Sequence, residues 1–334
     1  MCKPFFSPLE WLVPLSARRE LPLGAGRRIA MRVPVPWPLT PQPAWCGVEF
    51  VIPQVEPDRI ANLLFCFPGG GMTRRYFDLQ GAPGFSFVDA MCCRGAACVL
   101  VDHPGTGESF VPEDGFGATA ARLADAEAAL VEGLIARLRD GRLHEDLPAL
   151  QHAQPIAVAH SMGAMLAILQ QAQARPYSAL ALLGFTTRGL PDVLTESERQ
   201  AAAAPDHGRG ACAELARARF AEPFPDISSP RESSAPVEAL ASARSRLCAV
   251  AAMQSMLPGN VAAEAGRLDV PLFLAAGDRD LTGPPWDMPT AFRGAHDITV
   301  HVMRNTGHHP FVTPAAQRLY RRLAHWLADL DPAE

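Results

Sequence analysis

A serine becomes a useful nucleophile only when the chain holds it beside a base and near donors that can stabilise negative charge. The stretch Pro155-Ile156-Ala157-Val158-Ala159-His160-Ser161-Met162-Gly163 has the residue types for this. An apolar run of strand type leads straight into Ser161, and a helical pattern comes after it. Ala159 and Gly163, two positions to either side of the serine, are both small. A sharp strand-to-helix turn needs small residues there, because larger side chains would meet neighbouring backbone. The turn pushes the Ser161 hydroxyl out above the sheet and sets the positive end of the next helix beneath it. The plain alternative is a serine N-cap on an ordinary helix.

A second stretch, Pro68-Gly69-Gly70-Gly71-Met72, closes a strand-like run. Glycines without a Cβ let the backbone turn its N–H groups toward a cavity. Attack of a hydroxyl on a carbonyl builds negative charge on oxygen, and two backbone donors can hold it. The expected pair is the N–H of Met162 and that of Gly70. Phosphate cradling is disfavoured, because no G-K-[ST] follows the glycines.

The remaining groups lie late in the chain. Gly277-Asp278-Arg279-Asp280 follows one strand-like run, and Asn305-Thr306-Gly307-His308-His309-Pro310 follows the next. Residues at the carboxyl ends of parallel strands share one rim of a sheet. An acid, Asp278 or Asp280, and a base, His308 or His309, are therefore expected beside Ser161. Serine, then aspartate, then histidine is one of the chain orders in which such triads occur.

These groups need a scaffold. Strand-like runs fall at 46–52, 60–67, 96–101, 155–159, 179–183, 270–275 and 297–303. Several are apolar on both faces, as in a parallel sheet covered by helices. Helical patterns at 85–94, 119–139, 162–174 and 314–330 alternate with them, which predicts an α/β fold with a mostly parallel central sheet. The interval 186–267 breaks the alternation. It has helical pieces near 196–203, 211–220 and 236–256 and no convincing strand, and is expected to form a cap or lid over the strand ends. The core then comprises 46–185 and 268–334. The first 45 residues read as a proline-rich arm, since Arg32–Pro43 (RVPVPWPLTPQP) suits an edge or a wrapping segment rather than a central strand.

Composition excludes other classes. Of 334 residues, 48% are hydrophobic and 19% charged, which is globular. The formal net charge of −5 argues against a nucleic-acid binder. No apolar run is long enough for a membrane span. Residues 1–20 lack the pattern of a secretory signal, and the eight cysteines form no evident framework, so a cytoplasmic location is expected. Neither CxxC nor HExxH occurs, so no metal site is expected.

Together the stretches FPGGG (67–71), DHPGTGES (102–109), AHSMG (159–163), GDRD (277–280) and GHHPF (307–311) resemble an α/β-hydrolase-fold serine hydrolase of the esterase or lipase type. The resemblance runs from about residue 46 to the C-terminus, apart from the lid. AHSMG carries Ala159 where the family's pattern has glycine. The resemblance implies Asp280 as the acid, His308 as the base, and a carboxylesterase-like reaction through an acyl-enzyme without a cofactor. It also implies that DHPGTGES shapes the rim. The expected partner is a small or medium, fairly apolar ester or a thioester. A thioesterase, a C–C bond hydrolase, a haloperoxidase-like enzyme and an acyltransferase use the same triad, and a non-catalytic binding protein would keep only the pocket. Gly71, His160, Trp286, Met253 and Phe220 are candidate pocket residues, and Arg74 and Arg75 are candidates for an anionic group on the substrate.

Overall fold

The computed structural model describes residues 13–14, 26–38, 43–225 and 234–330. Its strands are β1 (Val13–Pro14), β2 (Arg27–Pro34), β3 (Trp45–Ile52), β4 (Asn62–Phe67), β5 (Ala97–Val101), β6 (Gln154–His160), β7 (Ala179–Leu183), β8 (Leu272–Gly277) and β9 (Ile298–Met303). They form one sheet in the order β1-β2-β3-β5-β4-β6-β7-β8-β9. From β5 to β9 every neighbour is parallel. The β1–β2, β2–β3 and β3–β5 pairs are antiparallel.

Strand alternation explains why the sheet is covered on both sides. Successive side chains point to opposite faces. Along β4, Leu63, Phe65 and Phe67 enter one apolar cluster, while Leu64 and Cys66 enter the other. Along β6, Ala157 and Ala159 go one way, Ile156 and Val158 the other. The helices α1 (Phe87–Cys92), α2 (Ala120–Arg139) and α3 (Met162–Ala174) supply part of the cover. Leu123, Leu130 and Leu134 of α2 and Met165 and Ile168 of α3 fill the first cluster. Phe87 and Met91 of α1 join the second.

Between β7 and β8 the described chain forms α4 (Glu196–Ala202), α5 (Cys212–Phe220), α6 (Ala235–Ser242), α7 (Ala249–Met256) and α8 (Ala262–Ala265). The last helix, α9 (Ala316–Asp329), turns Leu319, Tyr320, Leu323, Trp326 and Leu327 inward at helical spacing. Among the described residues no helix is long and apolar enough to cross a membrane.

Two local readings differ from the sequence expectation. The segment Arg27–Pro34 of the arm is an eight-residue strand paired along its whole length with β3. Its prolines do not oppose this, because Pro34 closes the strand and Pro36 and Pro38 lie beyond it. The helical run expected at 236–256 is broken into α6 and α7. The break is pulled onto the glycine loop: Thr73 N–H donates to Ala243 O at 2.7 Å, and Ser245 N–H donates to Gly71 O at 2.8 Å.

Candidate active site

The parallel register aligns the strand ends. Phe67 pairs with Ala159, His160 with Leu183, Leu183 with Ala275, and Gly277 with Met303. The residues just beyond these positions, Pro68, Ser161, Gly184, Asp278 and Arg304, therefore emerge along one rim. Ligand sites of parallel α/β sheets lie outside such carboxyl ends.

Ser161 sits between β6 and α3 with φ 52° and ψ −121°, a conformation rare for a residue with a side chain. Its N–H donates to Leu183 O at 2.9 Å, and its carbonyl accepts from Ala164 and Met165. Neighbouring bonds thus hold the strained turn. Gly163 is required by close approach: a Cβ there would stand 2.3 Å from Pro68 O and 2.5 Å from Phe67 O. Gly163→Ala is therefore expected to destabilise the protein by about 1–3 kcal/mol, as measured by urea unfolding, because backbone rather than a flexible side chain must move.

Ser161, His308 and Asp280 come together. His308 Nε2 lies 3.0 Å from Ser161 Oγ, and His308 Nδ1 lies 2.9 Å from Asp280 Oδ1. The Asp280 side chain is 1% exposed and that of His308 18%. Burial pushes the Asp280 carboxyl up, but the hydrogen bond and charge of His308, with the Thr282 N–H, outweigh it. The net direction is below the ordinary aspartate value. Asp280 thus stays ionised at neutral pH and orients the imidazole.

The competing residues lie elsewhere. Asp278 is exposed and accepts from Thr306 N–H at 3.3 Å. The His309 ring stands 5.9 Å from that of Tyr76. Burial and the charges of His308 and Arg244 push it down to about 4.

The glycine loop lies against the turn. A Cβ at Gly69 would stand 3.2 Å from Ser161 Cβ, and one at Gly70 would stand 3.5 Å from Met162 Sδ. Met162 is the first residue of α3, where helical N–H groups have no partner within the helix. Gly69 and Gly70 thus pack against Ser161 and Met162 of the turn.

The pocket expectations fare differently. The space at Ser161 is about 20 Å³ and is lined by His308, Gly184, Phe185, Thr186, Leu190, Ser255, Leu281 and Thr282, among others. Neither Gly71, His160, Trp286, Met253 nor Phe220 is among its walls. His160 is 1% exposed, donates Nε2–H to His308 O at 2.8 Å and stacks on Tyr76. It braces His308 from behind. Met253 is fully buried with Leu194, Ala216 and Leu257, and Phe220 packs beside that cluster. Trp286 is 69% exposed. The wall residues Phe185 and Thr186 come after β7, and Leu281 and Thr282 after β8. The strand-end rule that located Asp280 applies to them equally. Ser255, on α7, had no sequence signal.

Arg74, a candidate for substrate recognition, is turned the other way. It pairs with Asp102 and Glu108 and lies 3.7 Å from Glu49. Its N–H also donates to Asp102 Oδ1 at 2.7 Å. Asp102 further accepts from Glu108 N–H, so this carboxylate ties the DHPGTGES segment to the glycine loop. Arg75 is exposed.

This sheet, with a serine on a strained turn at its rim, defines a class. The profile of the alpha/beta hydrolase family matches residues 63–318, and the chain belongs to that family. Among solved structures, a thermophilic esterase from Thermogutta terrifontis is 19% identical with a TM-score of 0.57, over 90% of this chain and 98% of that one. An epoxide hydrolase from Vigna radiata is 15% identical with a TM-score of 0.59, over 93% of this chain and 100% of that one. A bromoperoxidase from Bacillus anthracis is 14% identical with a TM-score of 0.59, over 90% and 100% respectively. At these identities the likeness is one of fold. No protein of curated function matches the sequence.

Proposed function

We propose that the protein is a serine hydrolase that cleaves a carboxylic ester through an acyl-enzyme. The observation that carries this reading is the continuous relay from Ser161 Oγ through His308 to Asp280, at 3.0 and 2.9 Å. Ser161 attacks the carbonyl carbon while His308 Nε2 takes its proton. Asp280 keeps the second imidazole proton on Nδ1 and stabilises the imidazolium. The N–H groups of Gly70 and Met162 receive the developing oxyanion. His308 returns the proton to the leaving alcohol, then activates water to release the acid. A carboxylate nucleophile, which an alkyl-enzyme route needs, is absent at position 161, and this favours acyl chemistry over epoxide opening.

The described residues of the interval expected as a lid, 186–225 and 234–267, cover the strand ends of this enzyme. The space at Ser161 is about 20 Å³, room for about one water molecule. Ligand pockets hold roughly 300–1,000 Å³. Leu190 and the α7 residue Ser255 close it, so their segment withdraws when an ester enters. The buried unpaired thiols, among them Cys46, Cys66, Cys98 and Cys248, fit a reducing compartment and thus the cytoplasm.

A panel of p-nitrophenyl esters from acetate to dodecanoate, with acyl-CoA thioesters beside it, tests the reading. Turnover of short and medium esters, lost in Ser161→Ala, is expected. Turnover of thioesters alone moves the assignment to a thioesterase. A folded protein inert toward the whole panel contradicts the proposal and favours a binding protein.

A further inference from the structure

His103 is fully buried behind the glycine loop, and both of its ring nitrogens face acceptors. Nδ1 lies 2.5 Å from Glu127 Oε1 of α2, and Nε2 lies 2.8 Å from the carbonyl oxygen of Pro68. A carbonyl oxygen only accepts, so Nε2 carries a proton. The Nδ1–carboxylate contact holds a second, whichever of the two atoms it sits nearer. Glu127 is fully buried as well, and its other oxygen accepts from Gln170 Nε2 at 2.7 Å. Gln170 in turn accepts from the Tyr177 hydroxyl. The network runs from the interior of α2 and α3 to one peptide oxygen.

That oxygen occupies a decisive place. It bears on Gly163 of the serine turn, where a Cβ would meet it at 2.3 Å. It also begins the segment Gly69–Gly71. Three consecutive glycines have the largest freedom of any backbone. A peptide unit is planar, so fixing its oxygen fixes the direction of the Gly69 N–H and the path into Gly70.

We infer that His103 is a positioning residue for the oxyanion loop, its two ring N–H groups tying the Pro68 carbonyl to the Glu127 carboxylate across the back of the site. This rests on the serine hydrolase reading and extends it to a residue that does not touch substrate.

The arrangement gives a pH dependence of defined sign. Burial lowers the His103 pKa, but the Glu127 charge and hydrogen bond and the Pro68 carbonyl outweigh it. The net direction is above the ordinary histidine value. Asp102, beside His103 in the chain, adds to this and is itself paired with Arg74. The other titratable groups around the pair, Cys46, Tyr177 and Cys248, are fully buried and pushed up, so they stay neutral. A raised histidine pKa stabilises the fold fully below the unfolded value of about 6.5, and that stabilisation is lost as pH rises through the folded value. On the alkaline side one proton leaves, the ring serves only one acceptor, and the Pro68 carbonyl is released whenever Glu127 keeps the remaining N–H.

Three variants and one spectrum test this. His103→Phe keeps a ring beside Phe67, with which His103 stacks, but removes both donors. It is expected to lower kcat at least about tenfold with KM little changed, because the loss falls on transition-state charge. His103→Gln, which can still donate to Pro68, recovers part of kcat. Glu127→Gln leaves a neutral ring with Nε2–H on Pro68, so the alkaline fall in kcat disappears. Imidazole ¹⁵N NMR on the Ser161→Ala protein, followed with rising pH, is expected to show one ring, absent from His103→Phe, that keeps both nitrogens protonated to higher pH than an exposed histidine. This readout needs no turnover, so it fails or succeeds apart from the hydrolase reading. A His103 ring with no proton on Nε2 at neutral pH, and so no donor for the Pro68 carbonyl, overturns the inference. So does wild-type kcat in His103→Phe, or, should that variant not fold, a His103→Gln protein with no loss of kcat and an unshifted pH profile.

Discussion

Ser161→Ala is expected to lower kcat/KM on any ester the protein turns over by about 10⁵- to 10⁶-fold, the loss seen when a triad nucleophile is removed. That corresponds to roughly 7–8 kcal/mol of transition-state stabilisation. The residual rate reflects the oxyanion donors and substrate binding alone. The fold should survive. The strained φ of 52° comes from neighbouring backbone contacts, and alanine has no larger Cβ to accommodate than serine. Steady-state kinetics beside a urea melt separate the two effects. A variant that keeps more than about one part in a hundred of the activity would remove Ser161 from the chemistry.

Asp280→Asn is expected to lower kcat by about 10⁴-fold, because an amide facing His308 Nδ1 favours the wrong tautomer. With an amide N–H toward Nδ1, the imidazole proton sits on Nε2, and Nε2 can no longer accept the serine proton. The carboxylate is nearly completely buried, so water does not readily replace it. Asp278→Asn is the matched control. Its side chain is exposed and touches Thr306 N–H rather than His308, so activity should stay within about threefold, as for most surface substitutions. A large loss in Asp278→Asn with little in Asp280→Asn would reverse the assignment.

Much of the site was legible in the sequence for one physical reason. Strands buried on both faces are apolar throughout, and the residues just past their carboxyl ends must share one rim. That rule marked Gly69–Gly71, Ser161, the pair Asp278 and Asp280, and the pair His308 and His309. It could not decide between neighbours such as Asp278 and Asp280. Which of two nearby carboxylates turns inward depends on the turn, here closed by Gly277 O accepting from Asp280 N–H. The strand Arg27–Pro34 was hidden because Arg27, Arg28 and Arg32 interrupt its apolar pattern and prolines crowd its end. The break between α6 and α7 was not legible at all, since a long-range pairing with the glycine loop overrides local helix preference. In sequence Arg74 could either meet an anionic substrate or pair with acids, and it is buried among three carboxylates. Glu127 did leave a signal. It stands on the apolar stripe Ala120, Leu123, Ala124, Leu130, Val131 and Leu134 of α2, where a lone carboxylate needs a buried partner. The partner, His103, lies on a different element, so only the fold identifies it.

The central claim is that the Ser161 hydroxyl is activated by His308 beside an anion-stabilising nest. Fluorophosphonate labelling of the folded protein, located by peptide mass mapping, tests it most directly. One adduct per chain is expected, on the peptide containing Ser161, forming far more slowly in His308→Ala. No adduct on folded protein, or an adduct on another serine, would contradict it.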